Sequence, residues 1–297
     1  MNRMEKISIV VPVFRNEATL ETLYQIVSKV FIGLPKLVLE LLFVDDGSDD
    51  GSFEIIQQLS EIDRRVRYLS FDKNYGQVAA IVAGLRFCNG DAAIVMSADL
   101  QDPPEMILEM IRSWEGGSVI TICNRKSRND RFIDKFFSAV FYGTMKLIYP
   151  LIPRGGFDFF LLDRLALTKF NSIDNGGRFI QGDVVKLNMP IVFLPYERLS
   201  RMAGKSQWTL KRKLLYAFDG LTYSPLLWSL FTISGSSLLF SGFFLLVSAD
   251  KFPFIARVLL LLGLILSGIG FWGLVYRSFN YHKKQNVLYN IESKSHK

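Results

Sequence analysis

The sequence predicts an α/β protein with two parts, a mostly parallel β-sheet domain and a pair of membrane-spanning helices. Over the first 125 residues, short apolar runs alternate with segments of helical length and spacing, which is typical of βαβ units. Further along, residues 220–249 and 258–276 contain no charged side chain. Each stretch approaches or exceeds the roughly 20 residues that a helix needs to cross a bilayer.

The apolar runs are continuous rather than alternating, as expected for strands buried on both faces of a sheet. The predicted strands are Ile7–Phe14, Val38–Val44, Val66–Phe71, Ala92–Met96 and Ser118–Cys123. The predicted helices between them are Glu17–Phe31, Ser52–Asp63, Gln77–Phe87 and Pro104–Trp114. Because ligands of such sheets bind at the carboxyl ends of the strands, the polar residues that follow each strand are the candidates for a functional site.

The two uncharged stretches predict a transmembrane hairpin. Basic residues are more numerous on its outer flanks than in the loop that holds Lys251 and Arg257, so we expect both ends to be cytoplasmic. The polar start of the chain has no apolar signal-peptide core, which also favours a cytoplasmic N-terminal part. Gly263, Ser267 and Gly270 would let the helices approach closely, although composition bias accounts for them equally well.

Charge is unevenly distributed, because residues 1–197 carry a net −3 and residues 198–297 a net +10. Within the basic part, Lys211–Leu221 combines an apolar stripe with neighbouring lysine and arginine, which predicts a helix on an anionic membrane surface. Asp130–Ile148 also has one apolar helical face. Packing against the sheet and contact with a membrane surface both remain open for that segment.

Histidine and cysteine chemistry are nearly excluded. The only histidines are His282 and His296, so a Ser-His-Asp triad, a histidine zinc site or histidine acid/base catalysis is not expected. Cys88 and Cys123 are isolated and are interpreted as reduced core residues. Catalysis would therefore depend on carboxylates, on arginine and lysine, or on a carboxylate-bound cation.

Two acidic segments follow predicted strands. In the first, Asp45–Asp50, carboxylates at a strand end can bind a ribose or a uracil edge, or the segment is simply an acidic turn that caps the next helix. In the second, Ser97–Glu105, strand alternation places Asp99 and Gln101 on one side. Their oxygens are suitable ligands for Mg²⁺ or Mn²⁺ on a diphosphate.

Combined with further segments, these motifs resemble a known family. The segments are Val11–Glu17, Lys73–Gly76, Gly156–Arg164 and Arg198–Ser206, followed by the two spans. Together they are similar to the inverting family 2 glycosyltransferases of GT-A fold. The order of the motifs resembles the polyprenyl-phosphate glycosyltransferases, which include dolichol-phosphate mannose synthases and bactoprenol-phosphate glucosyltransferases. The resemblance extends from about residue 6 to residue 280.

The resemblance implies a GT-A (Rossmann-like) domain that transfers a sugar from a nucleotide sugar, with UDP favoured, to undecaprenyl or another polyprenyl phosphate. The implied division is a cytoplasmic catalytic domain at 1–197, a phosphate-binding loop and interfacial helix at 198–224, transmembrane helices at 225–248 and 258–276, and a polar cytoplasmic tail at 277–297. The implied location is the inner membrane, as a multi-pass protein with both termini cytoplasmic. No nucleic-acid partner is expected, and a homo-oligomer is left open.

The resemblance also implies roles for individual residues. Asp158 would be the catalytic carboxylate, acting as a base or as an orienting group, and Asp99 and Gln101 would hold Mg²⁺ or Mn²⁺. The implied nucleotide-sugar residues are Pro12, Phe14, Glu17, Asp46, Asn74, Gly76 and Asp99. The candidates for binding phosphate or lipid phosphate are Arg125, Arg131, Arg198, Arg201 and Ser206, for which an ordinary solvated basic surface is the alternative.

Departures from the family pattern keep other functions open. The family usually has Asp-x-Asp where this chain has Ser97 and Asp99, so a catalytically silent membrane scaffold is an alternative, and Asp102 is too displaced to be assumed a substitute. Gln181–Asp183 also differs from the common pattern, which bears on sugar choice. A GDP-sugar-dependent synthase is a further alternative. A processive synthase would need a Gln-x-x-Arg-Trp motif, and a dinucleotide oxidoreductase would need Gly-x-Gly-x-x-Gly where Val11–Val13 stands.

Overall fold

The computed structural model describes residues 4–125, 143, 146, 149–153, 156–173, 179–199, 225–248, 253–285 and 290–295. The chain divides into two compact units. The first comprises Met1–Asp174, Ile180–Gln207 and Val287–Lys297, and the second comprises Asn175–Phe179 and Trp208–Asn286. The first unit therefore contains the segments that precede and follow the predicted hairpin.

The first unit is built on an eight-stranded sheet whose order is β7-β5-β6-β4-β1-β2-β3-β8. Its strands are β1 (Glu5–Val13), β2 (Leu37–Asp45), β3 (Val66–Phe71), β4 (Ala92–Val95), β5 (Ile120–Arg125), β6 (Phe160–Asp163), β7 (Ile191–Tyr196) and β8 (Ile291–Lys294). Its helices are α1 (Glu17–Ile32), α2 (Ser52–Ile62), α3 (Gln77–Phe87), α4 (Glu105–Glu115), α5 (Arg164–Asn171) and α6 (Ile180–Val185). The predicted mostly parallel sheet is confirmed, because only β6 and β8 pair in antiparallel fashion.

The sequence did not predict β6, β7 and β8 as strands. The four residues of β6 lie between β4 and β5 and pair with both. Residues of β7 are mostly exposed or half-buried, which weakens an apolar signal. In β8 the residues Ile291–Lys294 are largely polar, and they pair with β3 although the sequence assigned them to a tail. This pairing closes an edge that β3 would otherwise leave open.

The core lies on both sides of the parallel strands, where β1 and β2 are almost completely buried. Helix α3 packs especially close to them, because a Cβ atom on Gly84 would lie 2.2 Å from Val10 Cγ1 and 3.1 Å from Val44 Cγ2. Both cysteines are buried and free, as expected. Burial raises the pKa of the Cys88 thiol to about 12, which makes it unreactive at neutral pH.

The sheet topology brings the carboxyl ends of six strands to one edge of the sheet. Strands β1, β2, β3, β4, β5 and β7 run in one direction, so their carboxyl ends lie along one edge, where antiparallel β6 has its amino end. The strand order reverses at β1, whose neighbours are β2 and β4. Such a switch point is where open α/β sheets bind ligands.

The second unit contains α7 (Pro225–Ser248) and α8 (Pro253–Gln285), two helices long and apolar enough to cross a membrane. They pack through small residues: a Cβ atom on Gly235 would lie 2.4 Å from the Ser267 nitrogen, and one on Gly270 would lie 2.6 Å from the Thr232 nitrogen. The close approach proposed for Gly263, Ser267 and Gly270 is thus present. Lys211–Leu221 and most of Asp130–Ile148 lie outside the described residues.

Replacing Gly84 by alanine is expected to destabilise the sheet domain, because the new methyl group would overlap Val10 and force α3 away from β1. We expect a loss of about 1–3 kcal/mol, as for overpacked cores. Thermal unfolding of the full chain in detergent would measure it. Gly33→Ala is the matched control, since its nearest neighbour is Val30 O at an ordinary 3.4 Å. Equal melting temperatures for the two variants would contradict the packing described here.

Candidate active site

The acidic segment after β2 is tied to the loop after β3. Asp46 is buried, and its carboxylate accepts hydrogen bonds from the backbone nitrogens of Tyr75 (2.7 Å) and Gly76 (2.8 Å). The side chain predicted to bind a nucleoside is therefore also the group that holds this loop. Asn74 is exposed on the same loop.

Two glycines make this contact possible. Gly47 has a φ of +66°, and a Cβ atom there would lie 2.5–2.8 Å from backbone atoms of Lys73 and Asn74. Gly76 has a φ of +97° and directly precedes α3. Both backbone conformations favour glycine, so the two loops meet at a distance that no side chain at position 47 would permit.

The end of β1 lies against the same acidic segment. Pro12 is paired with Val44 in the sheet, and the Arg15 guanidinium lies 5.2 Å from the centre of the Phe14 ring. Arg15 also forms two 2.5 Å hydrogen bonds with Asp49. Glu17, at the start of α1, accepts a 2.8 Å hydrogen bond from Gly51 N. Pro12, Phe14 and Glu17 therefore border the segment that contains Asp46.

The segment also has the local bonds of an acidic turn, the alternative left open above. Asp45 accepts from Ser48 N, and Asp50 accepts from Ser52 N at 3.1 Å, where α2 begins. The residue before the helix is Gly51, however, and no side chain caps α2 in the usual position. Asp46 points away from these turn bonds to the neighbouring loop. Part of the segment shapes a turn, and Asp46 faces the sheet edge.

The loop after β4 carries the predicted metal ligands. Asp99 Oδ1 accepts from Gln101 N at 3.2 Å, and the Gln101 side-chain amide donates to Leu199 O at 3.0 Å. Strand alternation does not explain this arrangement, because β4 ends at Val95. Instead Leu100 takes a φ of +57°, which turns the chain so that the two residues share one tight loop.

Ser97 joins two carboxylates. Its hydroxyl lies 2.8 Å from Asp99 Oδ1 and 2.6 Å from Asp102 Oδ2, and its backbone nitrogen donates to Asp102 Oδ2 at 2.9 Å. Asp102 is buried, and its second oxygen accepts from the Tyr196 hydroxyl at 3.2 Å. Burial, reinforced by the nearby Asp158 charge, raises the pKa of Asp102 to about 6.

Asp158 lies just before β6 and is bound by arginine. Arg125 Nη2 donates to both Asp158 oxygens, at 2.6 and 2.8 Å. Arg198 Nη2 lies 3.8 Å from Asp158 Oδ2 and 3.7 Å from Asp99 Oδ2, so one cation is shared by the two predicted functional carboxylates. Their side chains are 16% and 32% exposed for Asp99 and Asp158, which leaves both reachable from solvent.

The structure brings together most of the predicted site. Asp99, Gln101, Arg125, Asp158 and Arg198 form one connected cluster. Residues at the ends of β1, β2 and β3 border the neighbouring part of the edge: Pro12, Phe14, Glu17, Asp46, Asn74 and Gly76. Arg131, Arg201 and Ser206 lie outside the described residues.

Sequence reasoning missed Asp102 and Tyr196 as parts of this cluster. Tyr196 ends β7, so a strand prediction there would have placed its hydroxyl at the functional edge. Asp102 lies three residues beyond Asp99, and only the left-handed turn at Leu100 brings it back beneath Ser97. The sequence carried no signal for that turn, because leucine rarely adopts it.

Comparisons with known proteins agree with this geometry. The model of glycosyl transferase family 2 matches residues 8–167. The chain is 38% identical over 224 residues to the uncharacterized glycosyltransferase YkcC of Bacillus subtilis (strain 168), covering 75% of this chain and 69% of the relative. It is 29% identical over 307 residues to the bactoprenol glucosyl transferase of Shigella phage SfV, covering 98% of this chain and 100% of the relative.

Solved structures show the same fold. Mannosyl-3-phosphoglycerate synthase from Rubrobacter xylanophilus matches with a TM-score of 0.51 and 16% identity, covering 72% of this chain and 71% of that one. Glucosyl-3-phosphoglycerate synthase from Mycobacterium tuberculosis, in complex with phosphoglyceric acid, matches with a TM-score of 0.50 and 17% identity, covering 73% and 78%. The likeness confirms the predicted GT-A fold.

Replacing Gly47 by alanine is expected to push the Lys73–Gly76 loop away from Asp46 and to weaken nucleotide binding by ~10-fold or more, because the methyl group meets backbone and φ is positive. Isothermal titration of the full chain with UDP and with GDP would measure the change. Gly117→Ala is the matched control, since Gly117 also has a positive φ (+92°), nothing lies within 4 Å of a Cβ atom there, and it precedes β5 at the opposite edge of the sheet. Unchanged affinity in Gly47→Ala would show that the loop contact has no part in nucleotide binding.

Proposed function

The chain belongs to glycosyl transferase family 2 and is a glycosyltransferase, and from this premise we propose that it transfers a sugar from a UDP-sugar to a polyprenyl phosphate, with inversion at the anomeric carbon. One observation carries the proposal. Arg198 lies between Asp99 and Asp158, which gives a single site with one carboxylate for the donor side, one for the acceptor side and a cation between them.

The donor side is assigned to the ends of β1, β2 and β3. Asp46 holds the loop that carries Asn74 and Gly76, and Phe14 lies at the adjoining end of β1. A nucleoside placed here would contact an aromatic ring, exposed polar groups and the acidic segment after β2. Pro12 and Glu17 complete this border by shaping the β1 end and the acidic segment.

The residues present fit a divalent cation that takes part of its coordination from a diphosphate. Among the described residues no three histidine, cysteine, aspartate or glutamate side chains form a metal cluster. Asp99 and the carbonyl oxygen of the Gln101 amide are hard oxygen donors in one tight loop, which suits Mg²⁺ or Mn²⁺ with phosphate and water as remaining ligands. A cation held there by Asp99 and Gln101 would neutralise negative charge on the leaving diphosphate.

The acceptor side is assigned to Asp158 and the two arginines. A phosphate monoester is already mostly ionised near pH 7, since its second pKa is about 6, so it needs little deprotonation before it attacks. That suits a site in which Arg125 binds both oxygens of Asp158, so that Asp158 serves to orient rather than to remove a proton. When a phosphate enters, Arg125 and Arg198 can bind its oxygens in forked geometry. Arg131, Arg201 and Ser206 stay predictions for the same phosphate.

A polyprenyl acceptor is supported by the rest of the chain. The bactoprenol glucosyl transferase relative aligns over nearly the whole chain, including the two apolar helices. We place the sheet domain and both termini in the cytoplasm because basic residues flank the hairpin on its outer ends. The proposed division is a catalytic domain at 1–197, a phosphate-binding and interfacial segment at 198–224, helices near 225–248 and 258–276, and a cytoplasmic end at 277–297.

Purified full-length protein in nanodiscs is expected to form a lipid-linked monosaccharide from undecaprenyl phosphate, a UDP-sugar and Mg²⁺ or Mn²⁺. A panel of radiolabelled UDP- and GDP-sugars, resolved by thin-layer chromatography of the lipid extract, would identify the donor. Product from GDP-sugars alone would replace UDP in the proposal. Absence of product from every donor would favour the alternative of a catalytically silent scaffold, which Ser97 suggested.

Asp99→Asn and Asp158→Asn are each expected to lower turnover by ~100-fold or more. The first loses the carboxylate proposed for the cation, and the second leaves Arg125 without its charged partner. Asp63→Asn is the matched control, because Asp63 also pairs with an arginine, Arg65, but precedes β3 and so lies at the opposite edge of the sheet from the site. Turnover near that of the unmodified protein in either test variant would contradict the role assigned to it.

A further inference from the structure

Asp102 has no role in the reaction as proposed so far, yet it lies at the centre of the hydrogen bonds that surround the site. It is 3% exposed, and each of its oxygens has a donor from a different strand end. Oδ2 accepts from Ser97 N, after β4, and lies 2.6 Å from the Ser97 hydroxyl. Oδ1 accepts from Tyr196, the last residue of β7.

Both partners lead directly to the proposed site. The Ser97 hydroxyl lies 2.8 Å from Asp99 Oδ1, the carboxylate assigned to the cation. The Tyr196 hydroxyl accepts a 3.5 Å hydrogen bond from Arg125 Nε, and Arg125 in turn binds both oxygens of Asp158. An unbroken series of polar contacts therefore runs from Asp99 to Asp158, with Asp102 in its middle.

We propose that Asp102 is a positioning residue that fixes the Asp99 carboxylate through Ser97 and the Arg125–Asp158 pair through Tyr196. The proposal rests on the function proposed above. In it, the side chain of Asp102 acts by its shape and its hydrogen bonds, and it touches neither the cation nor the substrates. The proposal also explains Ser97, which departs from the family pattern. Its short, neutral hydroxyl lies between two carboxylates, where a third carboxylate would add negative charge.

The contacts of Ser97 fix the orientation of the Asp99 carboxylate. Oδ1 contacts the Ser97 hydroxyl and accepts from Gln101 N, and Oδ2 faces Arg198. Without Ser97 or Asp102 the carboxylate would rotate among several orientations. Groups that orient metal ligands typically contribute 10- to 100-fold to metal affinity or activity.

The test compares Asp102→Ala with Asp102→Asn in the full-length chain. Asparagine keeps the shape, accepts from Ser97 and can donate to Tyr196, whereas alanine removes every bond. We expect Mn²⁺ binding in the presence of UDP, measured by electron paramagnetic resonance, to weaken ~10- to 100-fold in Asp102→Ala and to change less than about threefold in Asp102→Asn. Asp63→Asn is the control for a general effect of removing an aspartate charge.

Two further variants remove the partners of Asp102, Ser97 and Tyr196, one at a time. Ser97→Ala is expected to weaken Mn²⁺ binding as much as Asp102→Ala, and it provides the test should Asp102→Ala fail to fold. Tyr196→Phe is expected to lower kcat about fivefold with Mn²⁺ affinity unchanged, because it removes the two hydrogen bonds that join Asp102 to Arg125 and leaves those of Ser97 in place. Tyr24→Phe is its matched control, since the Tyr24 hydroxyl also donates to an aspartate, Asp63, at 3.0 Å.

The outcomes separate this inference from the proposed function. Equal losses in Asp102→Asn and Asp102→Ala would mean that the charge itself is required, and would overturn a positioning role. Unchanged Mn²⁺ binding in both Asp102→Ala and Ser97→Ala would overturn the inference while leaving the proposed function intact. An unmodified protein that binds no Mn²⁺ with UDP or GDP, and forms no lipid-linked product, would overturn both.

Discussion

The structure of this site depends on one electrostatic constraint, the gathering of carboxylates at a single edge of the sheet. Parallel strands deliver their carboxyl ends to the same place, and here they bring Asp45, Asp46, Asp99, Asp102 and Asp158 together. Like charges in such an arrangement destabilise one another unless each is given a donor or a cation. The contacts around the site supply each carboxylate with such a donor or cation.

The kind of partner differs with the burial of the carboxylate. The three most buried carboxylates at this edge, Asp45, Asp46 and Asp102, accept from backbone nitrogens and hydroxyl groups, which add no charge. The more accessible Asp99 and Asp158 share Arg198, and Asp158 also binds Arg125. Neutral donors thus bind the deepest carboxylates, and arginines bind the more accessible ones, where an incoming diphosphate or phosphate could exchange partners with them.

The sequence predicted the features that depend on neighbouring residues. Continuous apolar runs predicted the strands β1 to β5, and the bounds of Val66–Phe71 and Gln77–Phe87 match the structure to the residue. Asp99 was found because it follows a predicted strand, whereas Asp158 was assigned through the family resemblance, since β6 was not predicted. What depends on distant contacts could not be predicted: Asp46 meets a loop about 30 residues away, and the position of Asp102 follows from a left-handed leucine that no local rule favours.

The pairing of β8 with β3 has a consequence for how the protein is made. Residues 291–294 supply the last strand of a sheet whose other strands end by Tyr196, and the two long apolar helices lie between them in the chain. During synthesis the outer edge of β3 therefore stays open until both helices have left the ribosome. An exposed edge strand is a site of wrong pairing. The nascent domain can complete its sheet only after the two apolar helices have been synthesised, so the order of the chain also sets the order in which the two units are completed.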